Sequence, residues 1–122
     1  MTHRVTWFEI PVDDMTRARR FYEHVFGVHL ELQDFGNLLM AWFPAGHGNA
    51  GATGSLVKGD SYIPSHSGSM VYFDVGDIDA VLERVSAAGG RTISARMSIG
   101  EYGFVGHFED TEGNRVALHS RA

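Results

Sequence analysis

The second half of this chain lies over the first when shifted by the distance from Trp7 to Met70. In that register Ile10 falls on Phe73, Val12 on Val75, Asp14 on Asp77, Met15 on Ile78, Ala18 on Val81 and Gly27 on Gly90. Structure repeats here more than identity does, because apolar positions, helix caps and terminators coincide. A chain that repeats its own punctuation reads as two tandem copies of one supersecondary unit.

The unit can be read from its first copy. Val5 to Val12 alternates, with Phe8, Ile10 and Val12 on one side and Trp7 and Glu9 on the other, the period of a strand. Asp13 and Asp14 then offer an N-cap and early negative charge to a helix. Met15, Ala18, Phe21, Tyr22, Val25 and Phe26 recur at three-and-four spacing as its apolar stripe, and Gly27 suits a left-handed C-cap. Val28–Leu32 and Leu38–Phe43 read as strands around a turn at 34–37. Residues 44–69 are Gly/Ser-rich, with one short apolar patch at 55–57 that predicts a strand within a long loop. In the second copy Met70–Val75 is a strand, and Asp77 caps a helix striped by Ile78, Val81, Leu82 and Val85 and ended by Gly89 and Gly90. Strands follow at Arg91–Ala95, Gly103–Glu109 and Asn114–Ser120. The fold predicted is α+β: two tandem βαβββ modules, about 4–58 and 69–120, forming a cup-shaped mixed sheet with helices on its outer face. At 122 residues the chain is expected to be a single domain.

Composition narrows the function. There is no cysteine, which excludes a disulfide scaffold, a thiol nucleophile and an iron–sulfur site. A net charge of −5 opposes binding to nucleic acid. No apolar run approaches the roughly 20 residues of a membrane span, and the N-terminus enters its strand without a signal-peptide core, so a cytoplasmic protein is expected. Gly46 to Gly51 matches a dinucleotide fingerprint, but no helix pattern follows to receive a phosphate, and the match is set aside.

Two segments then resemble the vicinal oxygen chelate superfamily, which includes glyoxalase I, extradiol dioxygenases, fosfomycin-resistance enzymes and bleomycin-binding proteins. One is the strand–Asp–helix run Phe8–Val28, with its Ala-x-x-Phe-Tyr-x-x-Val-Phe-Gly core. The other is Phe108–Leu118, similar to the family's Phe-x-Asp-Pro-x-Gly-Asn turn with Thr111 in place of proline. The resemblance implies four strand positions that would hold a divalent metal through His, Glu or Gln. Matched by these motifs they fall on Trp7, Met70, Ala117 and, within a residue or two, Met40. Those side chains do not suit a hard or borderline cation. No cofactor is therefore predicted, and a metal only through other ligands such as Glu9, His107 and His119. The resemblance also implies a homodimer whose cups are completed by the neighbouring copy.

Strand parity places Trp7, Glu9, Met40, Trp42, Met70, Tyr72, Arg115, Ala117 and His119 on the cup side. The candidate ligand-binding residues are these except Ala117, with His107 and with Tyr102, which glycines flank over the cup. An aromatic wall with a few polar groups is the composition of a small-molecule pocket, and equally of a second small core or a dimer interface. Glu9 beside Trp7 is the candidate general base if desolvated, or else the partner of Arg115 or a tyrosine. His3, His24, His29, His47, His66 and the run Arg17, Arg19, Arg20 read as solvated surface. Two functions stand open: a module binding a small organic ligand, or a lyase-like enzyme using Glu9 or relocated metal ligands.

Overall fold

The computed structural model describes residues 3, 5–45 and 52–122. His47 and the rejected Gly46–Gly51 fingerprint lie outside the described residues. Module 1 consists of β1 (Trp7–Pro11), α1 (Met15–Phe26), β2 (Glu31–Asp34), β3 (Leu39–Trp42) and β4 (Thr53–Lys58). Module 2 consists of β5 (Tyr72–Asp74), α2 (Ile78–Ala87), β6 (Arg91–Ser98), β7 (Phe104–Glu109) and β8 (Arg115–Ser120), with a 3-10 turn at Gly100–Tyr102. Each module makes its own four-stranded mixed sheet, ordered β1-β4-β3-β2 and β5-β8-β7-β6, with the first and last strands parallel. Adding four to each strand number of the first sheet gives the second. The repeat seen in the sequence is a repeat of topology.

The caps explain why the copies start in register. Asp14 and Asp77 each accept a hydrogen bond from the backbone N–H three residues on, at Arg17 and Ala80. Their ends differ. Gly27 closes α1 in the left-handed region at φ 64°. In module 2 the left-handed residue is Gly89 at φ 102°, one position before the Gly90 that the repeat aligns with Gly27. Gly90 is glycine for another reason, since a Cβ there would meet the Glu109 carbonyl oxygen at 2.5 Å. The strands also shift: β2 begins at Glu31, β5 is shorter than its apolar run, and β6 continues three residues past Ala95. Two register irregularities in β6, between Thr92 and Ser94 and between Ser94 and Met97, break the alternation that would have revealed its length.

Both helical stripes are buried except for half-buried Phe26, and with Ile10, Leu56, Phe108, Val116 and Leu118 they form one apolar cluster spanning the modules. Phe73 of β5 packs on Phe8 of β1 and Phe26 of α1, with ring centroids 5.6 and 4.6 Å apart. Two modules therefore share a single core.

A polar clamp adds to that core. In the β7–β8 turn, Asp110 is buried, and its Oδ1 accepts from the backbone of Glu112 and Asn114. Its Oδ2 accepts from the Tyr22 hydroxyl at 2.6 Å and from Asn114 Nδ2 at 3.0 Å. Glu112 reaches the start of α1, accepting from the backbone N–H groups of Asp13 and Asp14 and from the Arg17 guanidinium. Asn114 Nδ2 also donates to the Pro11 carbonyl. Arg17 is thus an anchor of α1, where the sequence had suggested a solvated face.

Burial pushes the Glu112 carboxyl up, but hydrogen bonds from Arg17 and the backbone outweigh it and hold the group below its usual range. A depressed folded pKa stabilises the fold above the ordinary glutamate value and loses that contribution as pH falls through the folded value. Glu112→Gln is therefore expected to cost about 1–2 kcal/mol at neutral pH. It should also flatten the acid side of a stability profile recorded by urea unfolding below about pH 4. Asp110 acts in the opposite sense, because burial raises its pKa and favours the fold at low pH.

Candidate functional site

The faces turned away from the helices carry the candidate residues. On module 1, β1, β4 and β3 lie side by side, so Glu9, Ser55 and Trp42 form one row across the sheet. Trp7 and Trp42 meet edge to face at 6.0 Å. Met40 on the same face is buried. Glu9 is exposed in the single chain. Its neighbour is Tyr62, whose phenol it holds above the usual range through a hydrogen bond and its charge.

On module 2 the opposite face holds a hollow of about 600 Å³, lined by Tyr72, Asp74, Met97, Ile99, Val105, His107 and His119. Tyr72, His107 and His119 were expected in such a site; Met97 was missed because the irregular β6 hides its alternation, and Ile99 because it lies past the strand, at the start of the 3-10 turn. Met97 and Tyr72 are each more than half exposed, an uncovered apolar wall. Pairing of β7 with β8 sets His107 opposite Ala117 and Val105 opposite His119, so the two imidazoles sit diagonally on one face. Tyr72 stands edge-on to His107 at 5.9 Å.

Both imidazoles are oriented by the protein. Arg115 Nε and Nη2 lie 3.0 and 2.8 Å from His107 Nδ1. Desolvation first, and the Arg115 charge second, lower the His107 pKa. His119 Nε2 donates to the Tyr102 carbonyl at 2.7 Å, which brings Tyr102 to the rim through its backbone. The exposed Tyr102 side chain is not part of the hollow's lining.

The linker between modules runs along the seam of this side. The backbone N–H of Ser65 donates to Asn114 Oδ1, and that of Arg115 donates to the Ser65 carbonyl. His66 is on the surface as expected, 2.7 Å from Glu109. Hydrogen bonds from Arg91 and His66 hold the Glu109 carboxyl below its ordinary value. Glu9 and Arg115 both border the small groove left under this linker, of about 150 Å³. A larger hollow of about 740 Å³ opens on the helix side between the modules. The phenyl rings of Phe8, Phe26, Phe43 and Phe73 in its wall belong to the shared core, so the concave hollow is the better candidate.

The four positions implied for a metal carry an exposed Trp7, a buried Met40, a half-buried Met70 and a fully buried Ala117. None is a ligand for a hard or borderline cation. The alternative set is not gathered within one chain. Glu9 lies on the other sheet from His107 and His119, and His107 Nδ1 is taken by Arg115. Among the described residues no three His, Cys, Asp or Glu side chains form a metal-binding group. No described helix is long and apolar enough to cross a membrane.

Comparison with known proteins agrees with this architecture. Residues 4–118 match the model of the Glyoxalase/Bleomycin resistance protein/Dioxygenase superfamily. A glyoxylase-like domain-containing protein of Didymella fabae is 32% identical, with 97% of this chain and 94% of that protein covered. Among solved structures, an antibiotic-binding protein of Streptomyces sp. CB03234 superposes with a TM-score of 0.74 at 23% identity, over 100% of this chain and 98% of that one. A glyoxalase I mutant of Zea mays gives 0.72 at 19% identity, over 95% of this chain and 45% of that one, so this chain spans about half its length. With the tandem modules and both sequence motifs in place, the chain belongs to the glyoxalase, bleomycin resistance and dioxygenase superfamily.

Proposed function

We propose that this protein binds a small, partly aromatic or carbonyl-bearing organic molecule in its cup, as a cytoplasmic binding or sequestering module. The observation that carries the reading is the module 2 hollow: an exposed apolar wall with two oriented imidazoles, the pattern of a small-molecule site. The antibiotic-binding relative of the same fold supports it. The alternative, an enzyme with Glu9 as base or with relocated metal ligands, has less behind it, since within one chain Glu9 is exposed and no three metal-binding side chains are grouped among the described residues. In this reading the protein is a homodimer, with the face that carries exposed Trp7 and half-buried Trp42 in one copy closing over the module 2 hollow of its partner.

Titration with the aromatic ketone 1-tetralone tests the site by two signals. Amide resonances at Tyr72, Val105, His107 and His119 are expected to move together in nuclear magnetic resonance spectra. The two tryptophans, both on module 1, are expected to be quenched if they form the other wall. Sedimentation should give twice the chain mass of 13.4 kDa. Resonances that stay still at millimolar ketone would remove the hollow as a ligand site.

A further inference from the structure

Two imidazoles face the hollow, and the protein assigns their ring nitrogens opposite roles. An arginine guanidinium only donates hydrogen bonds and keeps its proton at any ordinary pH. With Arg115 Nε and Nη2 both on His107 Nδ1, that nitrogen must present its lone pair. The proton of the neutral ring is then on Nε2, at the far end of the ring from the strand, and no described residue accepts it. His119 is fixed the other way. A carbonyl only accepts, so Nε2 carries the proton given to Tyr102, and the neutral ring keeps a lone pair on Nδ1. The nearest acid to that lone pair, Asp74, is 3.9 Å away, beyond hydrogen-bonding distance, and almost wholly exposed.

The geometry points to His107 Nε2–H as a preset donor for a carbonyl oxygen of the ligand, with Arg115 as the positioning residue that fixes its tautomer. The inference rests on the hollow being the ligand site and names the ligand group that site selects. A donor held in place loses little orientational freedom on binding, and the guanidinium behind it polarises the ring toward an electron-rich oxygen. Tyr72, Met97, Ile99 and Val105 leave the rest of the ligand an apolar surface. The lone pair of His119, diagonal to this donor, suits a hydroxyl or N–H on the same ligand.

The test has two parts on the intact protein. Imidazole nitrogen spectra at neutral pH should show His107 with Nδ1 bare and Nε2 protonated. Arg115→Met should mix the two tautomers, and Arg115→Lys, which keeps a cationic donor, should restore the single form; thermal melting checks that both variants are folded. Binding is then compared for 1-tetralone and for tetralin, which has the same rings without the carbonyl. The wild type should prefer tetralone by about tenfold, the effect of one good hydrogen bond. Arg115→Met and His107→Phe should lose most of that preference while still binding tetralin. A wild-type His107 protonated on Nδ1 would overturn the inference. So would equal binding of the two probes, which leaves the ligand site standing. Failure of both probes to bind would remove the site and the inference together.

Discussion

Asp110→Ala is expected to lower stability by about 3–5 kcal/mol, a large share of what a single domain possesses. One carboxylate accepts four hydrogen bonds at the centre of the clamp, from two backbone amides, the Tyr22 hydroxyl and Asn114. Alanine leaves the Tyr22 hydroxyl, on a ring with no exposed surface, without a partner in the core. It also releases the turn that holds Glu112 against α1. The unfolding midpoint should fall by roughly 10–20 °C, measured by calorimetry or circular dichroism. Asp110→Asn keeps the shape and the Oδ1 acceptor for the backbone amides of Glu112 and Asn114, but turns an amide in place of Oδ2 toward the Tyr22 hydroxyl and Asn114 Nδ2. The hydroxyl can turn to accept, so a smaller loss is expected. Equal losses in the two variants would show that the charged Oδ2 and its two donors, rather than the bonds to the turn backbone, carry the stabilisation.

Gly103→Ala is expected to cost about 3 kcal/mol and to disturb the site as well as the fold. Gly103 has φ 106° and ψ −134°, a conformation that L side chains avoid, and it ends the 3-10 turn carrying Tyr102. A Cβ there would also stand 2.3 Å from the carbonyl oxygen of Ser120, a backbone atom that cannot step aside. Relief requires the turn to lift away from β8, which takes the Tyr102 carbonyl from His119. The nitrogen spectrum of His119 should then lose its single protonated Nε2, and the melting midpoint should fall. A stable variant with an unchanged His119 signal would show that the turn is looser than its geometry implies.

The fold was legible because its signals are local. Asp14 and Asp77 cap helices whose stripes begin one residue later, and Gly27 ends the first in the left-handed region. Parity also told which face Trp7, Trp42, Tyr72 and His119 occupy. It could not tell which of them share a cavity, because two separate sheets and the linker between them decide that. Tyr62, Ser65 and His66 sit in a Gly/Ser-rich stretch with no periodicity, and their partners Glu9, Asn114 and Glu109 are more than forty residues away in the chain. Tyr22 looked like one more apolar stripe position, so its bond to Asp110 left no mark. Arg17 looked solvated for the same reason, since its acceptor lies in the other module. Local rules describe elements, whereas a site and a clamp are made of distant pairs.

The clamp has a meaning for the history written in the repeat. Here a carboxylate in the turn of the second copy accepts from the backbone amides of Asp13 and Asp14, at the approach to the first copy's helix. Neither half, separated from the other, would keep its polar groups answered or its phenylalanines covered. Duplication has ended in mutual dependence: the copies are expected to melt as one cooperative body, and divergence of either one is constrained by what the other needs from it.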